Sequence, residues 1–135
     1  MKVIDAAAFF EVLIRSSSGL AAERILLEEE VLTPHLFDAE VFHRLVQAGK
    51  NGVLPLAEVH SGLDDLRDAP FTRVEHSVLL KAAFEVSAAL SGYDALYVAL
   101  ARQLSCPLVT ADGRLARTAR RQFGLTVEEV TTSGR

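Results

Sequence analysis

Asp5, Glu40, Asp94 and Asp112 are spread over nearly the whole chain, yet their side chains suit one chemistry if the fold gathers them. Carboxylates facing one cleft repel each other by roughly 3 kcal/mol per pair at ~5 Å and an effective dielectric of ~20. Protons or a divalent cation must offset that repulsion. The cation solution makes a site for phosphodiester hydrolysis, since a hard ion held by carboxylates polarises a phosphoryl oxygen and stabilises the leaving oxygen.

The elements that must position these acids follow from pattern. Lys2–Ile4, Val31–Thr33, Phe71–Val74, Leu108–Thr110 and Thr126–Val130 are short, mostly apolar runs with strand character. Segments of helical spacing separate them: Leu56, Val59, Leu63 and Leu66 form one stripe, and Tyr93, Leu96, Tyr97, Leu100 and Leu104 another. Strands alternating with helices predict an α/β fold, a three-layer sandwich whose mostly parallel sheet of four to five strands is flanked by helices. Pro34, Pro55 and Pro70 punctuate element boundaries, and Ser91-Gly92 breaks the alanine-rich segment before Tyr93. Asp5 and Asp112 then stand at strand carboxyl ends, where open α/β sheets place their ligands. Glu40 falls in the first turns of one helix and Asp94 opens another.

Each acid also has a local explanation. Asp5 and Asp112 can be N-caps, Ser91-x-x-Asp94 resembles a capping box, and Glu40 and Asp38 suit the start of a helix. The run Glu28-Glu29-Glu30 reads as a solvated face.

Composition bounds the rest. The chain has 135 residues, half of them hydrophobic and 24% charged, the balance of one soluble domain, expected over residues 1–130. The tail Thr131–Arg135 has no apolar pattern and is expected to be mobile. No apolar stretch approaches the ~20 residues that span a bilayer. Asp5 interrupts the start where a signal peptide would stay apolar, so the cytoplasm is expected. A net charge of −4 and a pI near 5.5 argue against coating nucleic acid by bulk electrostatics, but not against a local basic patch. Cys106 cannot form an intramolecular disulfide and reads as a small core residue. His35, His43, His60 and His76 show no metal-ligand spacing, and HExxH, GxSxG and Walker A motifs are absent.

The segment Tyr93-Asp94-Ala95-Leu96-Tyr97-Val98-Ala99-Leu100-Ala101, followed by Pro107-Leu108-Val109-Thr110-Ala111-Asp112, resembles the signature of PIN-domain ribonucleases. The chain is most similar to the VapC-type toxins of bacterial toxin–antitoxin pairs. Val3-Ile4-Asp5-Ala6 and Thr33-Pro34-His35-Leu36-Phe37-Asp38-Ala39-Glu40-Val41 match the same family, so the resemblance runs from residue 2 to about residue 130. It implies that Asp5, Glu40, Asp94 and Asp112 form the catalytic quartet, with Mg2+ or Mn2+ as cofactor and RNA as substrate. It further implies 5′-phosphate and 3′-hydroxyl products, inhibition by a VapB-like antitoxin, and a homodimer. Asp5, Asp94 and Asp112 are the expected metal ligands, directly or through water. Glu40 is expected to orient or deprotonate the attacking water, though it suits a ligand equally well. Many relatives carry Ser or Thr where this chain has Ala7, a loss that weakens or re-aims catalysis.

Thr110 offers a hydroxyl beside Asp112 for the substrate. Arg114, Arg117 and Arg121 recur at i, i+3 and i+7, a spacing that suits both a phosphate-holding stripe and a solvated helix face. The first helix is apolar around much of its circumference, so it is either core or one wall of a groove. Phe9, Phe10, Leu13, Ile25 and Leu26 are the candidate antitoxin contacts. Two other functions remain open: a catalytically silent PIN-like interaction module, and a receiver-like phospho-acceptor domain. The second lacks the paired acids after the first strand and the late Lys that such domains use.

Overall fold

The computed structural model describes residues 1–130, so Thr131–Arg135, the expected mobile tail, lies outside the described residues. The chain runs β1 (Lys2–Ile4), α1 (Ala6–Leu13), α2 (Ser17–Leu26), β2 (Val31–Pro34), α3 (Leu36–Lys50), α4 (Leu56–Asp68) and β3 (Thr72–Val74). It continues through a 3-10 turn (His76–Val78), α5 (Leu80–Val86), a second 3-10 turn (Ser87–Ala89), α6 (Gly92–Leu104), β4 (Leu108–Thr110), α7 (Gly113–Phe123) and β5 (Val127–Glu129). The five strands form one sheet in the order β3-β2-β1-β4-β5, and every pairing is parallel.

β1, β2 and β4 are buried throughout, whereas the edge strands β3 and β5 are partly exposed. Strands buried on both faces need helices on both faces, the three-layer arrangement expected from the alternating pattern. Strand order reverses between β1 and β4. That switch point is where the loops diverge and leave a crevice at the strand carboxyl ends.

The two predicted stripes lie on real helices, with one difference at each start. In α6, Ala95 to Ala101 is buried all round and Tyr97 is among the largest fully buried side chains, but Tyr93 is 65% exposed. A helix apolar on every side belongs in the middle of the molecule, and α6 packs on both β1 and β2. In α4, Leu66 is buried while Leu56 is 72% exposed. Ser16 caps α2, its hydroxyl accepting the Gly19 N–H at 2.9 Å. Gly19 is required there, because a Cβ would sit 1.9 Å from the Glu11 carbonyl oxygen of α1.

Phe9, Phe37 and Phe71 stack as a trio with ring centroids 5.2 to 5.8 Å apart, tying α1 to α3 and to the entry of β3. Arg73 closes this cluster. It pairs with Asp38 at 3.0 Å and donates to the carbonyls of Leu66, Ala69 and Phe71. Asp38 is therefore both a first-turn acid and an anchor for β3. Cys106 is buried, and burial pushes its thiol pKa up, as a core cysteine requires.

Candidate active site

The local explanations of the acids and their gathering are both true, and the first produces the second. Asp5 leaves β1 and caps α1, its Oδ1 accepting the Ala8 N–H at 2.9 Å. Asp112 leaves β4 and caps α7, accepting the N–H groups of Arg114 at 2.9 Å and Leu115 at 3.3 Å. Asp94 sits in the first turn of α6, where the Ser91 hydroxyl accepts its N–H at 3.1 Å. Glu40 lies on α3, with Oε1 accepting the Tyr97 hydroxyl at 2.7 Å. All four line one cleft with Ala6, Ala7, Arg44 and Tyr97. The amino ends of α1, α6 and α7 thus meet there, and their partial positive charge favours carboxylates at that spot.

Electrostatics register the crowding. Burial pushes the Asp5 carboxyl up to about 7, against the lowering effect of its bonds from Thr110 and Ala8 and of the Arg44 charge. Asp94 is raised too, first by burial and then by the neighbouring charges of Asp112 and Glu40. Tyr97 is held firmly protonated by burial and by its bond to Glu40, so it acts as a fixed donor.

The donor set is oxygen only and anionic, which fits a small hard dication. The cleft encloses about 30 Å3, room for one or two water-sized occupants. Among the described residues, no three His, Cys, Asp or Glu side chains are gathered closely enough to hold an ion as they stand. Capping bonds hold one oxygen of Asp5 and one of Asp112 against backbone N–H groups. Such a set fits a cation that keeps part of its water shell between itself and the protein.

Thr110 differs from its expected place beside the substrate. It has no exposed surface; its hydroxyl donates to Asp5 Oδ2 and accepts the Asp112 N–H at 3.0 Å. It orients two acids instead. Arg114, Arg117 and Arg121 lie on the exposed side of α7, outside the cleft lining. Their neighbour Arg120 is committed to Glu129 at 3.2 Å and to the Val127 carbonyl at 2.9 Å.

On the far side of α1, a groove of about 640 Å3 is lined by Phe9, Leu13, Leu20, Leu26, Leu27 and Phe71, with Glu23, Asp65 and Asp68 among its polar members. Phe9, Leu13 and Leu26 thus stand where a groove contact was expected, with Phe9 largely buried. Phe10 and Ile25 pack against the core and do not line the groove.

Three contacts escape sequence reasoning. Arg44 and Tyr97 join the cleft from helices whose patterns read as ordinary. His76 Nε2 accepts the Leu36 N–H at 2.8 Å and so caps α3, the helix that carries Glu40. An i,i+4 relation between Glu40 and Arg44 was the available signal for the first; the others depend on tertiary approach.

The PIN domain family model matches residues 2–121. A VapC ribonuclease of Mycobacterium bovis is 36% identical over 127 residues, covering 94% of this chain and 98% of the relative. Ribonuclease VapC3 of Mycobacterium tuberculosis is 40% identical over 116 residues, 85% of each chain. Among solved structures, Mycobacterium tuberculosis VapC20, a sarcin–ricin loop cleaving toxin, superposes with a TM-score of 0.65 at 12% identity, covering 87% of this chain and 95% of that one. PAE2754 from Pyrobaculum aerophilum gives 0.64 at 22% identity, covering 93% and 82%. Both structural likenesses speak to the fold.

Proposed function

The chain belongs to the PIN-domain family and, within it, to the VapC ribonucleases; on that premise we propose that it is an endoribonuclease toxin whose active site is the acid cleft. The observation that carries this reading is the arrival of Asp5, Glu40, Asp94 and Asp112, from four separate elements, in one cleft at the β1/β4 switch point. The family assignment sets aside the receiver-like alternative.

Asp5, Asp94 and Asp112 would hold the divalent cation, Mg2+ or Mn2+. When bound, it neutralises the carboxylates and withdraws charge from the phosphoryl oxygens. Glu40 orients the attacking water and takes its proton, with Tyr97 fixing the position of that carboxylate. Thr110 holds Asp5 and the start of the Asp112 cap in register. Arg114, Arg117 and Arg121 give the RNA backbone a weak outer track.

The groove receives a segment of a VapB-like antitoxin. Its apolar floor and its three acids, set against the one cation Arg15, suit an amphipathic partner bearing Lys or Arg, and α1 begins directly after Asp5, so such a partner lies close to the catalytic acids. Self-association as a homodimer is supported by Leu80 and Phe84, one turn apart on α5 and 57% and 80% exposed. Among the described residues no helix is long and apolar enough to cross a membrane, and we place the activity in the cytoplasm.

The test is cleavage of a structured RNA with Mg2+ or Mn2+ by the wild type and by Asp94→Asn, with circular dichroism to verify folding. The variant removes charge with little change of shape and should lose at least two to three orders of magnitude in rate, the scale of losing a main electrostatic group. EDTA should stop the wild type while lowering its melting temperature only slightly. Undiminished cleavage by folded Asp94→Asn sinks the site assignment. Persistence after exhaustive chelation sinks the metal, and an inert wild type indicates a silent module.

A further inference from the structure

The cleft contains one group that the quartet does not account for. Arg44 lies one turn beyond Glu40 on α3, and the i,i+4 spacing puts both side chains on the same helix face. Of the described residues lining the cleft, Arg44 alone carries positive charge. It makes no hydrogen bond, and no ion pair within 4 Å, with any described residue, and its side chain is exposed. Its charge is nonetheless felt by both Asp5 and Asp94. A guanidinium placed only to neutralise the acids would pair with one of them, as Arg73 does with Asp38 at 3.0 Å. The donors of Arg44 are left for something else.

That something must be anionic and must enter among carboxylates that repel it. Ala6 and Ala7, on the same lining, contribute no polar side-chain atom. The planar fork of a guanidinium matches two oxygens of a phosphate, and in a partly dehydrated cleft such a charge-assisted pair is strong. We propose that Arg44 is a catalytic residue that binds the non-bridging oxygens of the scissile phosphate. The assignment rests on the ribonuclease reading of the cleft.

In the reaction, the oxygen of water bonds to phosphorus and the P–O3′ bond breaks. The proton of that water passes to Glu40, and the departing 3′ oxygen takes up a proton from solvent. Negative charge gathers on the phosphoryl oxygens as this proceeds, so a cation aimed at them binds the transition state more tightly than the ground state. The neighbouring position of Glu40 and Arg44 places water and phosphate side by side.

The experiment uses Arg44→Ala and Arg44→Lys in the full chain. Cleavage is read with Mg2+ or Mn2+, and binding of a fluorescent single-stranded RNA is read in the Asp94→Asn background over a range of salt. Arg44→Ala should cut the rate by about 100-fold, with thermal melting unchanged. It should also reduce the slope of log affinity against log salt by about 0.7, one phosphate contact to a single strand. Arg44→Lys should recover part of both, keeping the charge without the fork. Cleavage and salt slope within twofold of their parents would overturn the proposal. So would a lost rate with an unchanged slope, which makes Arg44 a positioning residue acting through the acids. Failure of the ribonuclease reading shows separately, as an inert wild type; the salt slope then decides Arg44 alone.

Discussion

The acid cleft and the apolar groove flank the same helix, α1, and are built on opposite terms. The cleft is about 30 Å3, and the carboxylates of Asp5, Glu40 and Asp112 accept hydrogen bonds from backbone N–H groups or hydroxyls, while Asp94 is fixed through its own N–H, which donates to Ser91. The groove is about 640 Å3 and is lined by side chains of which Leu20 and Leu27 are 57% and 78% exposed. One region spends stability to hold like charges together; the other leaves apolar area in water. On the proposed reading, binding supplies a cation to the first and apolar cover to the second, so that function falls where the fold is locally least satisfied.

Asp5→Asn probes the cost of the cleft and should have the largest effect. Folding raises the Asp5 carboxyl from an ordinary value near 3.8 to about 7. Between those values the folded, metal-free chain binds more protons than the unfolded one. The favourable contribution is fully present below about 3.8 and is lost as pH rises through about 7. Asn retains N-cap ability, so the variant should abolish cleavage and yet melt higher than the wild type at pH 8 in EDTA. The gain should be on the order of 2 to 4 kcal/mol and should vanish near pH 4. Melting curves across that range decide it. Equal pH slopes in the two proteins would show that Asp5 is not the strained group.

Much of this was legible beforehand, for a definable reason. Lys2–Ile4 and Leu108–Thr110 were readable as strands to the residue, because buried parallel strands are short continuous apolar runs bounded by polar turns. The approach of the four acids to one edge was readable from their places at strand ends and helix starts, whereas their role as a quartet came from the family resemblance. Thr110 was misplaced because a sequence does not say whether a strand's last hydroxyl points to solvent or to the next carboxylate. Arg44, Tyr97 and His76 were missed because each reaches the cleft or its supporting helix from the middle of a helix or from a turn, by an approach that only packing determines. The exposed start of α6 at Tyr93 shows the same limit: periodicity finds a stripe without saying where its cover ends.

A charge placed in the groove tests the other half of the comparison. Leu20→Glu alters a residue that lines the groove and is 57% exposed, so folding should be unaffected. Burying a carboxylate under an apolar partner segment should weaken antitoxin binding by roughly 2 kcal/mol, about 30-fold. Inhibition should relax in proportion, with cleavage by the free enzyme unchanged. Titration of the wild type and the variant with the cognate antitoxin measures both. Unaltered inhibition would move the docking site elsewhere.

Tyr97→Phe asks whether rigidity in the cleft matters at the level of one bond. The variant deletes the donor that reaches Glu40 at 2.7 Å and keeps the ring in the core. Loss of a hydrogen bond to a charged group costs roughly 1.5 kcal/mol, so the rate should fall about tenfold. RNA affinity should be unchanged, because the bond holds a carboxylate in place and does not touch the substrate. An undiminished rate would make Tyr97 a packing residue only.

Arg117→Glu should have the smallest effect, because the α7 stripe belongs to neither region. Its residues are exposed and lie outside the cleft lining, so water screens whatever they contribute. Arg117 is the member best placed to matter: a Cβ added at Gly113 would meet its Nη1 at 3.5 Å, which sets the guanidinium over the residue that follows Asp112. A phosphate leaving the cleft on that side would pass it. Charge reversal should therefore weaken RNA binding by only a few-fold and flatten the salt dependence by about one counterion. The rate at saturating RNA should not change, since the contact exists equally before and during the reaction. This separates it from Arg44→Ala, whose loss falls on the rate. If Arg117→Glu lowers the saturated rate as much as Arg44→Ala does, the boundary drawn between cleft and track is wrong. If it leaves the salt slope untouched, the stripe is a solvated helix face and RNA approaches the acids from another side.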